Sequence, residues 1–215
     1  MLPSYYTIKQ SGSHEIIIQK SRFIGYVARV TTEEEAQAFI QSIKKKHFDA
    51  THNCSAYMIG DNNQIQKAND DGEPSGTAGV PMLEVLKRQD LKDTAVVVTR
   101  YFGGIKLGAG GLIRAYSTST SEAIKHVGVV RRELMEVVSI KIEYPLLGKM
   151  ENNLRSQQIP IETIHYLENV DIHVLVPVNE YDTFHEQIVE WTNDQASIEK
   201  LEQKYVELNV KSTKE

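Results

Sequence analysis

Apolar positions along the chain change period several times, and each change predicts a new element. Glu15-Ile-Ile-Ile18 and Phe23-Ile-Gly-Tyr-Val-Ala-Arg-Val30 read as strand, with a bend expected at Ser21-Arg22. Thr32 to His47 reads as a helix: Ala36, Phe39, Ile40 and Ile43 recur at helical spacing. Thr32 with Glu35 has the spacing of a capping box. Glu33-Glu-Glu35 at the start and Lys44-Lys-Lys46 at the end complement the helix dipole. Asn53–Ile59 and Gln64–Ala68 flank Gly60-Asp-Asn-Asn63 and predict a hairpin. A dense loop signal follows over residues 69–81, then a helix over Met82–Arg88 and a strand over Ala95–Phe102, apolar on both faces at its start. A second glycine-rich loop, Gly103–Gly111, leads into a helix over about Leu112–Val127. Its expected inner face is Leu112, Ile113, Tyr116, Ala123, Ile124 and Val127.

The pattern then changes. Gly128–Glu133 is the candidate linker, which divides the chain into residues 1–130 and 131–215. Val138, Ile140, Ile142 and Tyr144 alternate with Ser139, Lys141 and Glu143, as in a strand with one wet face. Pro145 suits a first helical turn, and Leu147, Met150 and Leu154 continue it. Strands over Ile161–Glu168 and Val170–Val176 come next. Asn179 is positioned to cap a helix whose Tyr181, Phe184, Ile188 and Trp191 face inward, and Ser197–Leu208 closes the series. This βαββαβ order is ferredoxin-like.

A length of 215 residues with 40% hydrophobic and 25% charged residues supports folded domains rather than a disordered chain. The longest strongly apolar run, Thr94-Ala-Val-Val-Val98, is far too short to span a membrane. Met1-Leu-Pro-Ser-Tyr-Tyr6 has no basic stretch before an apolar segment, so no signal peptide is expected. A single cysteine, Cys54, forbids an internal disulfide and a cysteine-rich metal site, and makes a reducing cytoplasm the simplest compartment. Charge is unevenly divided: residues 1–132 hold 17 Lys/Arg against 13 Asp/Glu, residues 133–215 hold 7 against 16. The acidic half is a poor candidate for gripping phosphates alone.

Two loops concentrate the chemistry. Asp70-Asp-Gly-Glu-Pro-Ser-Gly-Thr-Ala-Gly79 brings the carboxylates of Asp70, Asp71 and Glu73 together with the hydroxyls of Ser75 and Thr77, just before a helix. It reads as a capped turn, as an anion- or partner-binding loop, or as an oxygen-rich site for a hard cation. It lacks the spacing of an EF-hand and the Gly-Lys-Ser/Thr ending of a P-loop. The second loop carries Arg100, Tyr101, Gly103, Gly104, Lys106, Gly108 and Gly110, with Arg114 beyond. Glycines admit a ligand to the backbone, a helix start attracts anions, and Tyr101 and Phe102 offer rings on which a base can stack. Alternatively Phe102 is core and the glycines allow tight packing. Gly108-Ala-Gly110 does not complete a dinucleotide fingerprint.

Other residues carry less. His52 and Cys54, two apart on a strand, point to one side and read either as a nucleophile couple or as a buried thiol beside a satisfied histidine. His165 and His173 fall on adjacent strands as cross-strand residues. Arg114, Ser117, Thr118, Ser121 and Lys125 share a helix face pointing away from the core.

Both loops, together with Ala50-Thr-His-Asn-Cys-Ser-Ala-Tyr57, strongly resemble the YigZ/Impact family. The resemblance covers about residues 16–125 as an Impact N-terminal domain. The remainder is similar to the ferredoxin-like C-terminal domain of the bacterial branch. It implies an α+β protein: a ribosomal-protein-like α/β domain resembling domain IV of elongation factor G, then a domain resembling that factor's fifth. Eukaryotic members regulate translation initiation by competing for the activator of a general-control kinase. Bacteria lack that pathway, so the partner does not transfer. The resemblance brings no catalytic residues. The proline dipeptidase label of some members needs a two-metal ligand set that this sequence does not assemble.

The expectation is therefore a cytoplasmic, non-enzymatic protein without cofactor or metal that binds RNA, the ribosome or a translation-associated protein and regulates translation. Its face would combine Arg100, Lys106, Arg114 and the Asp70–Thr77 loop. The competing expectation is a small metal- or phosphate-handling hydrolase using Asp70, Asp71 and Glu73.

Overall fold

The computed structural model describes residues 1–210. It is an α+β protein whose chain divides into two units, one of Met1–Ser4 with Arg132–Leu208, the other built around Tyr5–Arg131.

The larger unit holds a five-stranded antiparallel sheet. Its strands are β2 (Gly12–Ile18), β3 (Ser21–Arg29), β4 (His52–Ile59), β5 (Ile65–Asn69) and β6 (Thr94–Tyr101), in the spatial order β2-β3-β6-β4-β5. The bend between β2 and β3 lies two residues before the expected place. Gln19 and Lys20 both take positive φ (44° and 66°) in a tight turn, so that Ile18 and Ser21 pair directly. Two faces of this sheet are covered, which explains the double apolar character of β6. Helix α1 (Glu33–Lys46) covers Ala28, Val30, Tyr57, Ile59, Ala95 and Val97. Helices α2 (Gly79–Arg88) and α3 (Gly108–Val127) cover Phe23, Val27, Cys54, Ala56, Met58, Val96 and Val98. Thr32 caps α1 as expected, its hydroxyl accepting from the Glu35 N–H at 3.2 Å. Glu35 reaches back one residue further, to the Thr31 N–H at 2.7 Å.

Helix α3 begins four residues before the expected start, so Gly108, Gly110 and Gly111 form its first turn rather than a loop. Ile113 is 41% exposed and not part of the inner face, whereas Ser119 and Thr120 are buried there. The close approach of α3 to β3 requires glycine at 25, where a Cβ would stand 2.9 Å from the Ser119 carbonyl oxygen.

The second unit has the ferredoxin-like order. It comprises β7 (Val129–Ile142), α4 (Leu147–Ser156), β8 (Ile161–Tyr166), β9 (Val170–Pro177), α5 (Tyr181–Thr192) and β10 (Ser197–Asn209). The strands lie in the order β10-β7-β9-β8, and β1 (Ser4–Ile8), which the pattern analysis missed, also pairs with β7. One core, centred on Val138, Ile140, Ile172, Val174, Met150 and Ile188, fills the space under α4 and α5. Residues 128–133 are not a loop. β7 runs unbroken from Val129, and the division between the units falls inside it. Backbone pairing decides this: Lys9 donates to the Gly128 carbonyl at 2.8 Å and Leu134 to that of Pro3 at 2.8 Å. Asn179 does not cap α5, whose N-cap is Glu180 without a side-chain bond. His165 and His173 stack edge to face at 5.0 Å between centroids, as cross-strand neighbours. Among the described residues no helix is long and apolar enough to cross a membrane.

Candidate functional site

Side chains alternate along β6, so Arg100 follows Val96 and Val98 toward α2 and α3, while Tyr101 follows Ala95 and Val97 toward α1. The two neighbours in sequence are thus separated by the sheet. Tyr101 is engaged on its own side: its hydroxyl donates to Asp49 Oδ1 at 3.1 Å, lies 2.9 Å from His47 Nδ1, and the Arg22 guanidinium stands 5.2 Å from its ring centre. It does not reach the face that carries Arg100.

The register of β4 against β6 sets His52 directly opposite Arg100. The loop after β5 closes over this pair, and its three acids take three different tasks. Asp70 accepts from the N–H groups of Gly76, Ala78 and Gly79 at 2.9, 3.0 and 2.8 Å, tying down the loop and the start of α2. Asp71, at φ 45°, accepts from Lys44 Nζ at 2.6 Å and from the Asn53 N–H at 2.7 Å. Glu73 turns inward and is buried. Its Oε1 accepts from Arg100 Nη1 at 2.6 Å and from the Tyr116 hydroxyl at 2.8 Å. Arg100 is buried too, between the rings of Phe23 and Phe102 at 5.4 and 5.5 Å. It is therefore half of a buried ion pair and not the free cation expected. Thr77 is buried and donates to the Pro74 carbonyl at 2.6 Å, and Ser75 lies on the surface. The oxygen-rich loop is spent on its own architecture, and among the described residues no group of three or more His, Cys, Asp or Glu side chains converges as a metal site would require.

Burial raises the Asp70 carboxyl, but its three N–H donors outweigh burial and hold it below the ordinary aspartate value. A carboxylate with a depressed native pKa stabilises the fold above the unfolded value near 4 and loses that contribution as pH falls through the native value. An Asp70→Asn protein should therefore be less stable at neutral pH. It should also lose less stability on acidification below about pH 4 than the parent. Urea unfolding at several pH values measures both.

Cys54 is a buried thiol, as the second of the two readings expects, and the histidine beside it, His52, is hydrogen-bonded through one ring nitrogen. Its Nδ1 lies 2.8 Å from the Asp71 carbonyl oxygen, which can only accept, so Nδ1 carries the proton. Neutral His52 then presents a bare Nε2, 3.8 Å from Glu73 Oε2, beyond hydrogen-bond reach. Cys54 donates to the Asp70 carbonyl at 3.0 Å, and burial, reinforced by the nearby carboxylates, pushes its thiol up to about 12. It stays a thiol and is no nucleophile. Burial, then Cys54 and Glu73, push the Tyr116 phenol up, so its hydroxyl remains a donor to Glu73.

In front of this network lies a pocket of about 320 Å³. One wall is His52, Glu73 and Pro74, with Arg100 and Phe102 behind. The facing wall is Lys106 and Leu107 with Gly108 and Ala109 of the first turn of α3. That turn has no side-chain cap and no acidic residue, so the orphan N–H groups of a 20-residue helix open on the pocket. The glycines before it are conformational necessities: Gly104 and Gly108 take φ of 87° and 69° with open space beside them. Phe102 is 47% exposed, not core. Arg114 and Gly110 lie on α3 without lining the pocket. Of the residues singled out from sequence, the fold gathers Arg100, Glu73, Lys106 and Gly108 here, with Gly103 and Gly104 shaping the approach. His52, Ala109 and Tyr116 escaped sequence reading in these roles. Only the β4–β6 register, which would set His52 opposite Arg100, points to any of them.

A larger cavity of about 400 Å³ lies in the other unit, lined by Met135, Ile159, Leu175, Pro177, Phe184 and the amides of Gln157, Gln158 and Gln187. Glu180 is its one charged residue, so it presents no cation to an anion.

The same two-part organisation is found in known proteins. The Impact N-terminal domain family matches residues 19–124, and a domain of unknown function, DUF1949, matches residues 140–195. The IMPACT family member YvyE of Bacillus subtilis (strain 168) is 59% identical over 215 residues, covering all of this chain and 99% of its own. The IMPACT family member YigZ of Escherichia coli (strain K12) is 33% identical over 188 residues, 86% of this chain and 92% of its own. A crystal structure of a hypothetical protein matches 94% of this chain and 99% of its own, at 31% identity and a TM-score of 0.60. The chain belongs to the IMPACT family. Its likeness to the Saccharomyces cerevisiae protein IMPACT homolog, 32% over 120 residues, reaches only 54% of this chain.

Proposed function

We propose that this IMPACT family protein acts in the cytoplasm on translation by binding RNA, with the pocket between His52 and the first turn of α3 as its phosphate-holding site. The observation that carries the reading is the uncapped α3 N-terminus, opening on a pocket rimmed by Lys106 and the exposed ring of Phe102. Backbone N–H groups and a lysine suit a phosphate oxygen, and an exposed ring suits a base. Arg100 serves this site as scaffold. A hydrolase built on the acidic loop is disfavoured because Asp70 and Asp71 are committed to backbone and lysine donors.

The test is co-sedimentation with ribosomes in sucrose gradients, with and without nuclease, at low and moderate salt. Co-migration that falls steeply with salt supports phosphate contacts. Lys106→Ala should flatten the logarithmic salt slope by about 1. Ala109→Asp places a carboxylate where α3 favours one, so the fold should be unharmed while binding drops severalfold. Salt-insensitive co-migration would place the contact on a protein instead, and a protein that stays at the top of every gradient would sink the reading.

A further inference from the structure

The two walls of the pocket have opposite hydrogen-bonding character. The α3 side offers only donors, the orphan N–H groups and the Lys106 ammonium. The other side offers two acceptors. Asp71 holds the His52 proton on Nδ1, which leaves Nε2 a bare lone pair in the neutral ring. Glu73 has a side chain only 3% exposed, and its Oε1 takes both of the residue's hydrogen bonds. Its Oε2 takes none among the described residues, standing 3.8 Å from His52 Nε2. Glu73 lines the pocket, so a ligand seated there can supply the donor that this oxygen lacks. Tyr116 and Arg100 keep the carboxylate aimed by holding Oε1.

A ligand that satisfies both walls needs an anion at one end and a hydroxyl donor at the other. A ribonucleotide has both, and a deoxynucleotide lacks the 2′-hydroxyl at the position a protein uses to tell RNA from DNA. A volume of about 320 Å³ suits one nucleotide rather than a length of strand. We infer that the pocket selects RNA over DNA, seating one nucleotide with its phosphate on the α3 N-terminus and Lys106. Its 2′-hydroxyl stands between His52 Nε2 and Glu73 Oε2 and shares its one proton between them in a three-centre bond. This rests on the RNA-binding reading above and names what the same site recognises.

The experiment measures binding of the full chain to a labelled single-stranded RNA of about ten nucleotides and to the DNA of the same sequence, at fixed salt. The intact protein should bind the RNA about tenfold more tightly or better, the worth of one hydrogen bond to a charged acceptor. His52→Phe, which keeps a ring and removes the acceptor, should lower RNA affinity while leaving DNA affinity unchanged. Its folding is checked by thermal melting, with His52→Ala in reserve. If RNA and DNA bind alike, or the preference survives His52→Phe undiminished, the inference is overturned and the RNA-binding reading stands. If neither nucleic acid binds, both fall.

Discussion

Glu73→Ala should lower the free energy of unfolding by about 3–5 kcal/mol, the usual cost of stranding one member of a buried ion pair. The side chains of Glu73 and Arg100 are 3% and 6% exposed. Without the carboxylate, the Arg100 guanidinium is left between Phe23 and Phe102 without its ion partner, and its Nε already has no hydrogen-bond partner among the described residues. Tyr116 loses the acceptor of its hydroxyl as well. The same logic makes the pair replaceable as a unit. Glu73→Gln with Arg100→Met removes both charges, and the amide oxygen still accepts from Tyr116. This double variant should recover at least about half of the loss seen in Glu73→Ala. Urea unfolding with matched slopes provides the comparison. A Glu73→Ala protein within about 1 kcal/mol of the parent would show that the pair is not structural.

Gly103→Ala should be the next most damaging change, at about 1–3 kcal/mol, and it should weaken ligand binding too. A Cβ there would lie 2.1 Å from both the carbonyl carbon and the oxygen of Lys20, and 2.5 Å from the Ser21 nitrogen. These are backbone atoms, so no rotamer relieves the overlap. They also belong to the β2–β3 turn, whose residues 19 and 20 already hold positive φ, and Gly103 donates to Ser21 Oγ at 3.1 Å. Either the turn or the loop from Phe102 to Leu107 must shift, and that loop carries Lys106 to the pocket. Thermal melting reads the first effect and RNA titration the second. Gly104→Ala supplies the contrast, because it meets open space and pays only for its φ of 87°.

Much of this was legible in the chain, for local reasons. The three-acid, three-lysine arrangement of α1 and its Thr32 cap involve neighbours only one helix apart. The hairpin around residues 60–63 and the alternation of β7 depend on periodicity and turn chemistry. The loops could be named because both hold unusual densities of glycine and charge. What escaped had no local signature. β1 is five residues long and owes its place to β7, far away in sequence. Residues 128–133 resemble a linker in composition, yet pairing with the N-terminal strand makes all of them but Gly128 β. The first turn of α3 is glycine-rich, which opposes helix propensity, and tertiary packing overrides it.

The candidate site divides the same way. Sequence by itself determined which side chains stand near the end of β6 and that they would be rich in charge, glycine and aromatic rings. It did not determine their partners. Arg100 and Tyr101 are adjacent in the chain but lie on opposite faces of one sheet, because a strand alternates. Arg100 and Glu73 are 27 residues apart, yet form the most deeply buried ion pair of the site. Whether an arginine is a free cation or a buried scaffold depends on what surrounds it, and so does the nitrogen on which a histidine carries its proton. Only the folded chain, by setting β4 against β6 and closing the Asp70–Gly79 loop over both, decides either.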